Sequence, residues 1–260
     1  RFADAIVEII MKTGIISDIH SNLAALDAAI CELTSRGCER IICAGDIIGI
    51  GPEPDKTVGR LRRIPNLVAV VGNHDKYFTR GLPSGFPNPE QMERDEYEQH
   101  LWQQIQLSAE SAEFLRSLPE SAYMCIGNVR IYIAHYAMSD GKYLPVHGAD
   151  GEWLSEAFPA DADVVVYGHD HRHAVVEHCG RIFVNPGALG CPSRGSDIAR
   201  AVILTVGGTD TGRVVLTVGG VISVEPIDVH YDVSAVKAEI SRLDYPASGD
   251  ILRIFYGSSD

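Results

Sequence analysis

Apolar positions in the first third of the chain follow two alternating rhythms. A short β-rich run, Thr13 to Ser17, gives way to Leu23, Leu26, Ile30 and Leu33 at helical spacing. Ile41 to Ala44 reads as a second strand, followed by a loop rich in Gly and Pro. A helix over about Asp55 to Ile64 then leads to a third strand, Leu67 to Val71. Strands alternating with helices predict parallel pairing. Each of these strands ends in a polar loop, and open α/β sheets bind ligands beyond the carboxyl ends of their strands. The chemistry is expected there.

From Tyr77 to Leu118 the pattern becomes polar and helical, with Asn88 and Pro89 as cap and first-turn pair and Pro119 as terminator, which predicts a helical insertion over the site. The remainder is strand-rich. Tyr123 to Ile126 and Val129 to Ala134 flank a Gly127-Asn128 turn, Val164 to Tyr167 is an apolar run, and His173 to His178 and Arg181 to Val184 flank Cys179-Gly180. Leu204 to Gly208 recurs as Leu216 to Gly220, which predicts two neighbouring strands.

At 260 residues the sequence has room for one large α/β domain, expected over residues 11–260, with the insertion at about 77–118 and further strands and a helix at about 199–260. No stretch approaches the about 18 uninterrupted apolar residues of a membrane helix. Arg1 to Ile10 lack a secretory cleavage site, which predicts a cytoplasmic location with Met11 as the natural start. A formal charge of −13 opposes the phosphate-counterion exchange on which bulk nucleic-acid binding depends. Bound divalent cations can still create a local positive site in an acidic protein, so a small phosphorylated substrate is compatible with that charge. The six cysteines form no CxxC pair and read as free, buried or half-buried thiols. Oligomeric state has no sequence signature here.

Chemistry concentrates in acidic, amide and imidazole side chains placed just after predicted strands. Asp18 and His20 stand in Ser17-Asp18-Ile19-His20, where alternation along an extended chain puts both side chains on one side. Asp46 follows the second strand, and Asn73, His74 and Asp75 follow the third. His135 ends a fourth, and His169 and His171 follow a fifth, again spaced to share a side. Carboxylate, imidazole and amide oxygen together suit Mn2+, Fe2+, Zn2+ or Ni2+. Seven candidate ligands exceed the needs of one ion, and a carboxylate such as Asp46 can bridge two.

The ordered set DxH, GD, GNHD, a strand-end His and GHxH resembles the calcineurin-like metallophosphoesterase superfamily over about residues 12 to 200. Gly45 to Pro52 and Asn185-Pro186-Gly187 are similar to its prokaryotic phosphodiesterase branch, grouped with diadenosine-tetraphosphatase-like enzymes, as are Tyr231-Asp232 and the helical stretch after them. The resemblance implies an α/β (α+β) fold: a four-layer αββα sandwich of two mixed sheets flanked by helices. It also implies one ion held by Asp18, His20, Asp46 and His171 and a second by Asp46, Asn73, His135 and His169. His74 would face the substrate, stabilising phosphoryl oxygens or protonating the leaving oxygen. The implied activity is hydrolysis of phosphodiester or phosphoanhydride bonds of small substrates, nucleotides included, by in-line attack of a metal-bridging hydroxide. Phosphomonoesterase activity, or a catalytically weak scaffold that binds proteins, is the alternative.

Departures from the family pattern narrow this reading. Gly49-Ile50-Gly51 stands where protein serine/threonine phosphatases and symmetric diadenosine tetraphosphatases carry Asp-Arg-Gly, which argues against a phosphoprotein phosphatase. His135 is followed by Tyr136-Ala137 where a glycine is usual, and Asp170 replaces a Thr or Ser. His100, His147, His173, His178 and His230 are expected to be structural or exposed, and Lys76, Arg80, Lys142 and Arg194 to be solvated. Trp102 and Trp153 read as packing residues. Asp75 either orients His74 or stabilises a turn.

Overall fold

The computed structural model describes residues 10–84, 92–139, 142–144, 148, 150–192, 195–207, 213–216 and 221–257. Strand β1 (Met11–Ile16) leads into α1 (Leu23–Ser35), β2 (Arg40–Cys43) into α2 (Pro54–Leu61), and β3 (Leu67–Ala69) into the short α3 (Asn73–Thr79). Helices α4 (Arg94–Ile105) and α5 (Ala109–Ser117) follow where the insertion is expected, although the Asn88-Pro89 cap lies outside the described residues. Next come β4 (Ser121–Ile126), β5 (Val129–Ala134), β6 (Ala137–Ser139), β7 (Lys142–Leu144), α6 (Gly151–Ala157), β8 (Val164–Val166), β9 (Ala174–His178) and β10 (Arg181–Asn185). The described chain closes with β11 (Ile198–Val206), β12 (Arg213–Leu216), β13 (Val221–His230), α7 (Val233–Leu243) and α8 (Ser248–Tyr256).

Two mixed sheets result. One runs β12-β13-β11-β1-β2-β3, with β1, β2 and β3 parallel and β11 antiparallel to β1. The other runs β4-β5-β8-β10-β9, parallel through β5, β8 and β10 and antiparallel at both edges. The two-residue period of strands assigns alternate side chains to different layers. Ile15, Ile42, Val202 and Leu204 of the first sheet meet Ile131, Ile133, Val164 and Val166 of the second in an apolar interior between them. Their neighbours Ile16, Cys43 and Ile203 point the other way, under Leu26, Leu33, Leu61 and Ile240 of the helices. On the outer face of the second sheet, Val165 and Phe183 pack against Leu154 and Phe158 around α6. This is the expected four-layer sandwich, and each fully buried Ile, Leu or Val in it contributes roughly 1.5–3 kcal/mol.

Two expectations fail. Leu204 and Leu216 lie in β11 and β12, which are not neighbours, because the long β13 pairs with both and separates them. The thiols are not uniformly buried or half-buried either: Cys31, Cys125 and Cys179 are exposed, on α1, β4 and the β9–β10 turn, where no apolar layer covers them. Among the described residues no helix is long and apolar enough to cross a membrane.

Both sheets present carboxyl ends at one edge of the sandwich. His135, after β5, donates from Nδ1 to Ala44 O, after β2, at 2.7 Å. Asp18 N donates to Gly45 O at 3.0 Å, and Gly168 N to His135 O at 3.0 Å. Strand-end loops from the two sheets are thereby fastened to one another.

Candidate metal centre

Three close approaches require the glycines of the motifs. A Cβ at Gly72 would fall on the Asp46 carboxylate, and one at Gly168 on Ser17 Oγ and near the Asp18 carboxylate. Backbone conformation is as constrained. Asp18, His20, Asp46, His169 and His171 all have positive φ, between 46° and 71°, a region that L-residues rarely occupy. The expectation that DxH and HxH share a side through extended alternation is therefore wrong in mechanism. Left-handed turns bring these pairs together, held by His20 N donating to Asp46 O at 3.0 Å and Ala188 N to His171 O at 3.2 Å. Such strain gathers where surrounding structure over-determines it for function.

Side chains converge accordingly. His20 Nε2 and His171 Nε2 lie 3.0 Å apart. Asp18 Oδ1 is 3.4 Å from His171 Nε2 and 3.8 Å from His20 Nε2. Asp46 occupies the middle: its Oδ2 is 3.2 Å from His135 Nε2, 3.8 Å from His20 Nε2 and 4.0 Å from His74 Nε2. Asn73 Oδ1 lies 3.0 Å from His169 Nδ1. The structure thus brings together all seven candidate ligands, including His135 despite its unusual neighbours. Asp46, His135 and His169 form one three-donor group, and His20, Asp46 and His74 another.

Electrostatics follow from burying acids against imidazoles. Burial pushes Asp18 up, but the His171 hydrogen bond and the charges of His135 and His171 outweigh it and bring the carboxyl down to about 2. Asp46 is likewise held well below its ordinary value, with burial overcome by the charges of His135 and His74. Against its own burial, His135 is raised to about 9 by the Asp46 carboxylate. Burial and the like charge of His135 push His169 down to about 4. Two buried carboxylates within a cluster of imidazoles, with His20 Nδ1 buried and lacking a hydrogen-bond partner, form a donor set that fits divalent cations.

Residues around the cluster take roles that the sequence left open or did not show. Asp75 accepts from Ile47 N, Ile48 N and Gly72 N at 2.9–3.2 Å, so it stabilises the turn rather than orienting His74. His100 on α4 is buried with its ring 4.9 Å from His74, which only the tertiary position of α4 reveals. Cys191 joins His20 and His171 in a third donor group. Lys76 is not solvated: it donates to Glu120 at 2.9 Å and to Tyr136 Oη at 2.7 Å. Arg80 also pairs with Glu120. Trp102 stacks on Tyr245 at 4.3 Å, the packing role expected, and Trp153 packs against the α6 cluster. His230 pairs with Asp197 at the surface. His147 and Arg194 lie outside the described residues.

A cavity of about 430 Å3 opens beside the cluster, lined by Asp46, Asn73, His74, His169 and His171 and walled by Gln99 of α4 and Ile251, Ile254 and Phe255 of α8. Its size suits a small molecule. Among its described lining residues there is no Lys or Arg.

A profile of the calcineurin-like phosphoesterase superfamily domain matches residues 11–209. An uncharacterized protein of Methanocaldococcus jannaschii is 31% identical over 206 residues, covering 70% of this chain and 77% of its own. Phosphodiesterase YfcE of Escherichia coli K12 is 25% identical over 199 residues, covering 72% and 83%. The crystal structure of a metallophosphoesterase from Sphaerobacter thermophilus superposes with a TM-score of 0.67 at 25% identity, covering 94% of this chain and 98% of that one.

Proposed function

Because the chain belongs to the calcineurin-like phosphoesterase superfamily, we propose that it is a hydrolase that cleaves phosphodiester or phosphoanhydride bonds of small phosphorylated molecules, nucleotides among them, with two divalent ions. The observation that carries this is the cluster of carboxylate and imidazole donors that lines one side of the cleft. A phosphoryl group there has its charge met by cations that the carboxylates and imidazoles hold.

Asp18, His20 and His171 would hold one ion and Asn73, His135 and His169 the other, with Asp46 shared between them. When bound, the ions supply Lewis acidity and an activated water. The protein's own residues do the rest. His135 Nδ1 is fixed by Ala44 O, which aims Nε2 at Asp46. His74 lines the cleft with 17% exposure and is placed to meet a phosphoryl oxygen or to donate a proton to the leaving oxygen. Its backbone N donates to Asp46 Oδ1 at 2.9 Å, which ties the acid-base group to the central carboxylate. Ile251, Ile254 and Phe255 offer an apolar wall for the organic part of the substrate.

The diester preference takes support from the E. coli relative, which is named a phosphodiesterase. It is tested with metal-stripped protein reloaded with Mn2+, Fe2+, Zn2+ or Ni2+ and assayed on bis(p-nitrophenyl) phosphate, dinucleoside polyphosphates, cyclic nucleotides and simple monoesters. Metal-dependent hydrolysis of diesters or anhydrides faster than of monoesters is expected. No metal-dependent turnover on any of them would overturn the reading.

A further inference from the structure

A sulfur lies among the imidazoles. Cys191 follows β10 in a loop stitched to the first motif: Leu189 N donates to Ser17 O at 3.0 Å and Gly190 N to Asp18 O at 2.9 Å. The stitching holds Cys191, 7% exposed, against His20 and His171, and one donor atom from each of the three lies within 4.8 Å of the others. His20 is fully buried and its Nδ1 has no hydrogen-bond partner. Asp18 Oδ1 lies 3.4 Å from His171 Nε2, so a carboxylate adjoins the imidazoles of this group. Cys43, the other buried thiol among the described residues, instead packs in the apolar layer under the helices.

Resting on the two-ion reading above, we propose that Cys191 is a thiolate ligand to the ion shared by Asp18, His20 and His171, and that its sulfur favours Zn2+, Fe2+ or Co2+ there over Mn2+ and Mg2+. A soft thiolate bonds well to borderline ions and poorly to hard ones, whereas carboxylate and imidazole alone leave the choice open. The step is ligand exchange: the Sγ–H bond breaks, its proton passes to solvent, and a sulfur–metal bond forms with no electron transferred. One ion of the pair would then differ chemically from the other.

Full-length protein stripped with a chelator and reloaded with Co2+ provides the test, with cobalt content measured by plasma mass spectrometry. A thiolate-to-cobalt charge-transfer absorption in the near ultraviolet is expected, lost in Cys191→Ser and Cys191→Ala while the visible d–d bands and the cobalt content persist. Cobalt bound with d–d bands but no charge-transfer absorption overturns the sulfur ligand and leaves the two-ion reading standing. Failure to bind cobalt at all overturns both. From an equimolar Zn2+ and Mn2+ mixture, the retained Zn:Mn ratio should fall about tenfold in Cys191→Ser, and an unchanged ratio overturns the proposed selectivity. Should neither variant fold, X-ray absorption of the zinc-loaded wild type reads the sulfur neighbour directly, and its absence overturns the proposal.

Discussion

Asp46 sits among three imidazoles, with His20, His74 and His135 all approaching its Oδ2 within 4.0 Å. Asp46→Asn keeps the volume, removes the charge and leaves the raised imidazole of His135 facing a neutral amide, a loss of the kind that costs about 3–5 kcal/mol in a buried pair. The variant should hold less than one ion per chain by plasma mass spectrometry while keeping its far-ultraviolet circular dichroism. Two retained ions would show that Asp46 does not bridge. His74 behaves differently because it is partly exposed and lines the cleft. His74→Ala should retain the metal and lose about 10²–10⁴-fold in kcat, the usual weight of a general acid or charge stabiliser. Loss of metal instead would make His74 a ligand, a role that its donor group with His20 and Asp46 permits.

Helix α4 is clamped to the site by the amide of Gln103. Fully buried Gln103 accepts from Ser21 Oγ at 2.7 Å and donates from Nε2 to Gly51 O at 2.6 Å, clamping the first motif and the loop after β2 to the insertion. Gln103→Leu leaves these partners unsatisfied at about 1–3 kcal/mol each, so the melting temperature should fall by roughly 5–10 °C. An unchanged melting temperature would mean that α4 merely covers the loop. Neither this clamp nor the His100–His74 contact was legible in the sequence, because α4 is a polar helix whose inward positions are set by a fold that joins residues far apart in the chain. The seven candidate ligands were legible for the opposite reason: each follows a strand, and strand ends can be read from the local pattern of apolar residues. Their left-handed backbone was not, since it depends on hydrogen bonds between separate loops such as His20 N to Asp46 O. Cys191 escaped for the same cause, standing in a loop that only the Gly190–Asp18 contact carries to the imidazoles.

For the whole molecule, packing these charges together couples folding, protons and metal. In the metal-free protein His135 is raised to about 9 from its ordinary 6.5, with burial opposing and the Asp46 carboxylate prevailing, and His171 is raised by Asp18 in the same way. A group whose folded pKa lies above its unfolded one gives stability that is complete below the unfolded value and is lost as pH rises through the folded value. The His135 contribution is thus whole below pH 6.5 and gone above about pH 9. Metal binding runs the other way, because an ion takes the neutral imidazole and must displace that proton, so apparent affinity climbs over the same window. Calorimetric scans from pH 6.5 to 9.5 should therefore show the melting temperature of the chelator-treated protein falling by roughly 5 °C while the gap to the zinc-loaded protein widens. His135→Asn should flatten the metal-free slope. A slope equally steep in that variant would place the titrating group elsewhere, and a gap that narrows with pH would mean that the ions do not compete with the His135 proton.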